Sequence, residues 1–471
     1  MIHTTAQVER GIHRIQPWRE NPRFWQYRGE PVLLLGGSVK DNLFQIPDLE
    51  AQLDPLVSVG GNYIRNTMSD RPDGGFEIKA FAQDDEGIYD LTTWNAAYWE
   101  RFESMLQLTA ARDIIVQIEI WDRFDHSQGN WKLDPFRPEN NRNYSNDESG
   151  LAADYPELPG GNRQPFFYTV PKLQDNELVL KFQRAFVDKM LQYSLQFDHV
   201  LYCIDNETSG DPLWAVYWAE HVQERAAAAG VGVEMAEMWD NWDVSHETHR
   251  PTFDHPERYG FVDIAQNSHN PGQMNWERAQ WVRSYLTEHP RPMNSTKIYG
   301  ADTSKWTDRG VDAEHGQQTF WRNLLGGLAS SRFHRPPSGL GLSETAQADL
   351  RSARMLAASF DLFRAESDAA LRLLSDRQEN EAYVSVLSTG IPARTLDRQW
   401  AVYFRDGGHA GLDVGAAHTE LKRVYDLRVL DIHESRWHEV ESRSASDDGR
   451  VQLHSPAGPH VILVTETEEF K

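Results

Sequence analysis

Chemistry in this chain concentrates where apolar runs stop. In His199-Val-Leu-Tyr-Cys-Ile-Asp-Asn-Glu207, residues 200–204 form an apolar run that predicts a buried strand. It ends in Asp205, Asn206 and Glu207, followed by the loop residues Ser209-Gly-Asp-Pro212. Charged groups just past the C-terminal end of a buried strand are costly for folding and useful for chemistry, and in a (β/α)₈ barrel active sites are built there. An Asn-Glu pair in that place sets a carboxylic acid beside an amide able to hold a sugar hydroxyl. The plainer alternative is a polar loop after any α/β strand, since the dipeptide is common by chance.

Similar endings recur along the chain. A first strand leads to Ser38, Lys40 and Asp41, and a second ends in Arg65 and Asn66. A third supplies Glu119, Trp121 and Asp122, a fifth Glu237, Trp239 and Asp240. A sixth leads to Gln266, Asn267 and His269, and an eighth supplies Arg332, His334 and Arg335. So many polar strand ends exceed what barrel closure needs, and a sugar-sized site accounts for them economically. The 16 Trp and 16 Tyr agree, because flat aromatic faces beside hydrogen-bonding groups suit sugar rings.

The elements that would position these groups alternate through the first 365 residues. Strands are expected at 31–37, 62–66, 113–121, 200–204, 232–238, 261–265, 297–301 and 329–333, with helix-like stretches such as 178–196, 212–229 and 276–287 between them. Eight βα units predict a TIM barrel over residues 1–365, with an N-terminal extension. An Asn-, Pro- and Gly-rich insertion after strand three, about 124–171, is expected to form a lid or wall at the barrel mouth. From 366 to 471 the texture changes to short strands separated by turns, which predicts a small antiparallel β-sandwich.

Composition narrows the partners. With 47 Lys and Arg against 71 Asp and Glu, the net charge is −24, which argues against nucleic acid. No apolar run is long enough to suggest a membrane span, and no leader pattern opens the chain, so a cytoplasmic protein is expected. The single cysteine, Cys203, lies in the apolar run and is expected to be a buried structural thiol. There is no P-loop, no Gly-x-Gly-x-x-Gly and no Gly-x-Ser-x-Gly. Neither His-x-x-x-His nor Cys-x-x-Cys spacing occurs, and His246 and His249 stand three apart in an Asp-rich loop, so neither cofactor nor metal is expected. The expected partner is a carbohydrate; composition leaves the oligomeric state open.

The ring of strand ends, Asn206-Glu207 and Arg65 resemble the clan of retaining TIM-barrel glycoside hydrolases that includes cellulases and β-galactosidases. The segment Asn21-Pro-Arg-Phe-Trp-Gln-Tyr-Arg-Gly-Glu-Pro-Val-Leu-Leu-Leu-Gly-Gly-Ser38 resembles the opening of apiosidase-like glycosidases. Those also carry a C-terminal β-sandwich labelled collagen-binding, to which the stretch from Trp400 to Trp437 is similar. The resemblance implies Glu207 as general acid, Asn206 beside it, and a second carboxylate at the end of strand seven. If strand seven is 297–301, the better buried run, Asp302 occupies that place with a side chain one methylene shorter than the usual Glu. If it is 292–296, Lys297 stands there and the nucleophile is missing. The shorter side chain makes inversion, with Asp302 as base, an alternative to retention, and Glu237 is a reserve for either role.

Arg65, Asn66, Trp121, Asn206, Trp239, His269 and His334 would shape the sugar subsite, with Glu237, Arg332 and Arg335 near them. Two Arg and a His at strand eight, with Arg65, suggest a uronic acid or a sulfate on the sugar. The competing account is that these Arg pair with acidic side chains of neighbouring loops. Three functions follow: glycoside hydrolysis, lyase cleavage of a uronate glycan with a His or Tyr base, or glycan binding by a barrel without a nucleophile.

Overall fold

The computed structural model describes residues 13–156, 164–301, 310–367, 398–415 and 424–467, with the backbone of two short strands at Leu373–Leu374 and Val384–Leu387. Eight parallel strands form the barrel: β1 (Leu34–Gly37), β2 (Tyr63–Thr67), β3 (Ile115–Asp122), β4 (Val200–Asn206), β5 (Met235–Ala236), β6 (Val262–Asp263), β7 (Met293–Asn294) and β8 (Ser330–Phe333). One curled sheet runs β5-β4-β3-β2-β1-β8, and β6 pairs with β7. Backbone bonds complete the ring, from Phe261 N to the Met235 carbonyl at 3.4 Å on one side and, on the other, from Ala329 N to the Met293 carbonyl at 2.9 Å and from Arg332 N to the Ser295 carbonyl at 3.1 Å. Every residue of β3 and β4 is buried, as expected of parallel strands covered on both faces. The chain tolerates close contact of β1 and β2 because Gly36 has no side chain: a Cβ there would lie 1.8 Å from the Tyr63 carbonyl oxygen.

Helices wrap the barrel: α1 (Glu50–Ser58), α2 (Ala96–Ala110), α3 (Glu177–Ser194), α4 (Pro212–Ala228), α5 (Gly272–Tyr285), α6 (Ala313–Leu325) and α7 (Glu344–Ala357). Local sequence sets their starts. Asn95, Asn176, Asp211, Asp312 and Ser343 each accept a backbone N–H of the first turn, and Pro212 opens α4 where no N–H is needed.

Strand seven differs from the expected 297–301. The strand is Met293–Asn294, paired in parallel with Val262–Asp263, and residues 297–301 form the loop above it, whose backbone ladder pairing is limited to isolated bridges. Met293-Asn-Ser-Thr296 looks too polar for a buried strand, yet all four are buried, and the side chains of Asn294 and Thr296 are bonded inward. The Asn294 amide accepts from Trp25 Nε1 at 3.0 Å and donates to the Tyr63 hydroxyl at 3.1 Å, and the Thr296 hydroxyl donates to Asp263 at 2.6 Å. Hydrogen bonds, not apolar surface, pay for burying this strand.

The described part of the insertion after β3 packs into the core, with Phe124 at the barrel mouth. Trp131, Phe136, Phe166 and Phe167 are buried, and Phe166 stacks on His126 at 4.1 Å and meets Trp121 edge-on at 5.7 Å. Residues 157–163 of it lie outside the described set.

Beyond α7 the chain enters antiparallel sheets. One contains β9 (Ala365–Ser367), β10 (Val384–Leu387), β11 (Gln399–Phe404), β13 (Val424–Asp431) and β15 (His460–Thr467), in the order β9-β10-β11-β15-β13. The other joins Leu373–Leu374 to β12 (Gly408–Asp413) and β14 (Arg450–Ser455). Alternation along β11 decides what each face meets. Trp400, Val402 and Phe404 join Leu412, Val451 and Leu453 inside the sandwich, while Ala401 and Tyr403 pack on the barrel, Tyr403 stacking on Trp321 at 6.0 Å.

A buried acid ties α6 to α7. Asp349 Oδ1 accepts from Gln317 and from Trp321 Nε1, both at 2.9 Å, while Oδ2 has no partner. Burial outweighs these bonds and pushes its carboxyl up to about 8. A carboxyl raised on folding adds stability that is complete below its unfolded value near 4 and is lost as pH rises towards 8, at about 1.4 kcal/mol per pH unit. Asp349→Asn keeps the acceptor and removes the titration. Its melting temperature should therefore overtake that of wild type above pH 8, and parallel melting curves at pH 5 and pH 9 would refute this.

Candidate active site

At the C-terminal mouth of the barrel lies a cavity of about 320 Å³, the lower end of the range for small-ligand sites. Its wall includes Glu207, Asp240, Asp41, Lys297, Arg71 and Arg335, with Tyr299, His269, His334, Trp242 and Phe124.

Glu207 follows β4 directly, and its backbone is left-handed, with φ of 47°. A non-glycine residue rarely adopts this conformation, and such strain is found where a side chain must be aimed. Glu207 Oε1 accepts from the Tyr299 hydroxyl at 2.5 Å and from Lys297 Nζ at 2.7 Å, which leaves Oε2 for a ligand. Burial by itself would raise this carboxyl, but the Lys297 ammonium, the Tyr299 hydroxyl and the Arg65 charge together hold it well below the usual carboxylate range.

Asp240 reaches the same cavity from the β5 side. Thr208 pairs with Trp239 in a parallel bridge, and Asp240 N donates to the Thr208 carbonyl at 2.8 Å, so the two loops run together. Surrounding protein, and then the charge on Glu207, push Asp240 up to about 6. The residue is exposed at the rim, so water moderates this rise until a ligand covers it.

Under the cavity floor is an ionic layer. Arg65 is fully buried and bonds Glu119, Asp41 and, at 2.8 Å, Asn206 Oδ1. Lys297 shares that same oxygen, and Asn206 Nδ2 donates to Asp122 at 3.0 Å. Every polar atom of the Asn206 amide is thereby engaged by protein. Burial would raise Asp41, but Arg65, with Arg335 and Arg71, outweighs it and holds the carboxyl well down. Burial, first, then the neighbouring cations keep His334 neutral despite Asp41.

The aromatic face of the cavity is a three-ring stack. Trp242 lies on His269 at 4.2 Å with an angle of 11°, and His269 lies on Tyr299 at 4.1 Å with 28°. Trp242 is 40% exposed, so its outer part is available to a ligand.

Of the residues singled out from sequence, Asp41, Asn206, Glu207, Asp240, Gln266, His269, Lys297, His334 and Arg335 meet at this cavity. The others lie elsewhere. Arg65 is in the ionic layer, and Arg332 is buried between the Thr296 carbonyl, at 2.5 Å, and the Ser38 hydroxyl. Asn66 accepts from Phe44 N at 3.0 Å. Trp121 packs outward against Trp214 and Trp218, and Trp239 donates to Thr252 at 2.8 Å. Glu237 accepts from the backbone of Asp205 and Met238, both at 3.1 Å, and burial, with Asp205 beside it, raises its carboxyl far above the usual range. Asp302 lies outside the described residues. Arg71, Phe124, Trp242 and Tyr299 were not singled out; their loops carry no periodicity that marks them.

Neither family models nor curated proteins match this sequence. Solved structures do resemble it. A protein described as a glycoside hydrolase aligns with a TM-score of 0.61 at 12% identity, covering 97% of both chains. A glycoside hydrolase family 5 protein from Bacteroides vulgatus gives 0.61 and 12%, covering 96% of this chain and 93% of its own. A second protein from that organism, also described as a glycoside hydrolase, gives 0.58 and 12%, covering 98% and 83%. The barrel and the β-sandwich together are thus an arrangement found in proteins described as glycoside hydrolases. Among the described residues, no helix is long and apolar enough to cross a membrane.

Proposed function

We propose that this protein hydrolyses a glycosidic bond at the β4–β5 side of the barrel mouth. The observation that carries the proposal is a pair of carboxyls lining one sugar-sized cavity in unlike surroundings: Glu207 is bonded by Lys297 and Tyr299, which favour its ionised form, while burial and the Glu207 charge favour a proton on Asp240. Two carboxyls with separated proton affinities are what glycoside hydrolysis requires. Asp240 then protonates the departing oxygen, and Glu207 serves as the attacking carboxylate or as the base for water. The assignment exchanges the role expected of Glu207, because an acid cannot stay protonated against Lys297 at 2.7 Å. Asp302 has no part in it. The sugar docks on Trp242.

Charge balance favours a neutral sugar. Among the described residues three permanent cations line the cavity, and each meets an acid: Lys297 meets Glu207, Arg335 meets Asp41, and Arg71 meets Asp122 at 3.0 Å. A uronate or sulfate would have to displace one of them.

The test is hydrolysis of neutral, uronic and sulfated oligosaccharides, read by mass spectrometry, with Asp240→Asn alongside. Wild type should release neutral sugars, with a rate that falls above pH 6. Asp240→Asn should lose unactivated substrates by about 10²–10⁴-fold and spare aryl glycosides, whose leaving groups need no proton. Equal losses on both substrate kinds would remove Asp240 as the acid. A second reading, glycan binding without turnover, is favoured by Lys297 standing where the related clan carries its nucleophile. Binding by wild type and by Glu207→Gln alike, with no product from either, would establish it.

A further inference from the structure

The C-terminal sandwich carries a cluster unrelated to the barrel mouth. Asp431 ends β13, His460 begins β15, and the two are paired across the sheet. The short strand Arg436–Trp437 returns along the other side of β13, and His438, just past it, bonds the Val429 carbonyl through its backbone N at 2.8 Å. Three adjacent strands therefore bring one ligand atom each from Asp431, His438 and His460 to within 4.8 Å of one another.

The hydrogen bonds show what is missing between them. His460 Nδ1 lies 2.9 Å from the Gly458 carbonyl, which can only accept, so Nδ1 carries a hydrogen. In the neutral ring Nε2 is then a lone pair, and it faces Asp431 Oδ2 at 3.8 Å, another acceptor, beyond hydrogen-bond reach. His438 Nε2 is a buried nitrogen with no partner. His460 is buried and Asp431 half-buried, so water does not resolve the mismatch fully. Three electron-pair donors converge with nothing positive between them. An imidazole whose second nitrogen is held by a backbone carbonyl is the usual metal-ligating arrangement. Tetrahedral zinc at about 2.0–2.1 Å from each ligand sets ligand atoms roughly 3.3–3.5 Å apart, which small side-chain rotations reach from here.

We propose that Asp431, His438 and His460 bind one zinc-class divalent ion, with water completing the tetrahedron. The site is structural. Asp431 Oδ1 accepts from Glu434 N at 2.9 Å, closing the turn whose Ile432 carbonyl accepts from Ser352 at 2.9 Å and whose Ser435 hydroxyl donates to the Ala348 carbonyl at 3.1 Å. Ser352 and Ala348 belong to α7, so the ion fixes the turn that seats the sandwich on the barrel. The ligands Asp431, His438 and His460 fall outside the short His-x-x-x-His and Cys-x-x-Cys spacings, which is why no such motif announces them.

The test uses the full chain, tag removed and metal stripped, titrated with zinc chloride by calorimetry and with cobalt(II) by visible absorption. Wild type should bind one equivalent, show the intense cobalt bands of a tetrahedral site, and melt at a higher temperature with zinc. His438→Ala and His460→Ala should each abolish all three effects while folding. His454→Ala, which breaks the stacked His409–His454 pair at 4.3 Å, should keep them. Wild type without saturable zinc binding, or binding that persists in the His438→Ala, His460→Ala double variant, overturns the proposal. So does a melting temperature that ignores zinc and instead rises on acidification, which would mean that a protonated His460 pairs with Asp431.

Discussion

Glu207→Gln should lower turnover by about 10³-fold or more, at a cost in stability because the buried Lys297 loses its charge partner. The amide is nearly isosteric, and its oxygen can still accept from Tyr299 and Lys297, which both reach the same carboxylate oxygen in the wild type. What disappears is the negative charge that would attack the sugar or take a proton from water. The loss should be the same for aryl glycosides and for natural linkages, in contrast to Asp240→Asn, because leaving-group help does not replace a nucleophile. Initial rates on both substrate kinds, with a thermal melt to certify folding, decide this. A Glu207→Gln enzyme that keeps aryl glycoside activity would return Glu207 to the acid role.

Lys297→Met should have the second large effect. Glu207 loses the main partner that offsets its burial, and breaking a buried ion pair from one side costs about 3–5 kcal/mol. The sign with pH follows from the depressed carboxyl. In wild type the ionised Glu207 contributes stability that is present above its unfolded value near 4 and is lost as pH falls through the lower folded value. The gap between wild type and Lys297→Met should therefore be widest near neutrality and close in acid. Activity separates the roles again. If Glu207 works ionised, raising its proton affinity moves the acid limb of the pH–rate profile upward and slows the enzyme at pH 6. A variant faster than wild type at pH 6 would mean that Glu207 works as the acid. Denaturant midpoints and pH–rate profiles, measured together, give both answers.

Much of this was legible in the sequence, and the exceptions share a cause. β3 and β4 are long apolar runs because helices cover their outer faces and neighbours their edges, so hydropathy found them and the Glu207 that follows. β7 was placed too late in the chain because its inward side chains satisfy one another by hydrogen bonds instead of by apolar contact. That displacement led to Asp302 and away from Lys297, the residue that fixes the charge of Glu207. Trp121 and Trp239 were read as sugar platforms from their place at strand ends. Both turn into packing, and the exposed ring is Trp242, in a loop where neither period 2 nor period 3.6 operates.

The uneven ladder of the barrel has a mechanical consequence. β3 is joined to β2 and to β4 over five and six residue pairs, whereas β6 and β7 share two. Lys297 and Tyr299 follow β7, and the backbone between them is tied to β8: Ile298 N donates to the Arg332 carbonyl at 3.0 Å, and His334 N to the Ile298 carbonyl at 3.2 Å. Among the described residues the thinnest seam is β5–β6, held by the bond from Phe261 N to the Met235 carbonyl at 3.4 Å. Strain on the mouth is therefore expected to fall on that seam, while Glu207 and its two donors stay clamped between β4 and the segment braced by β8.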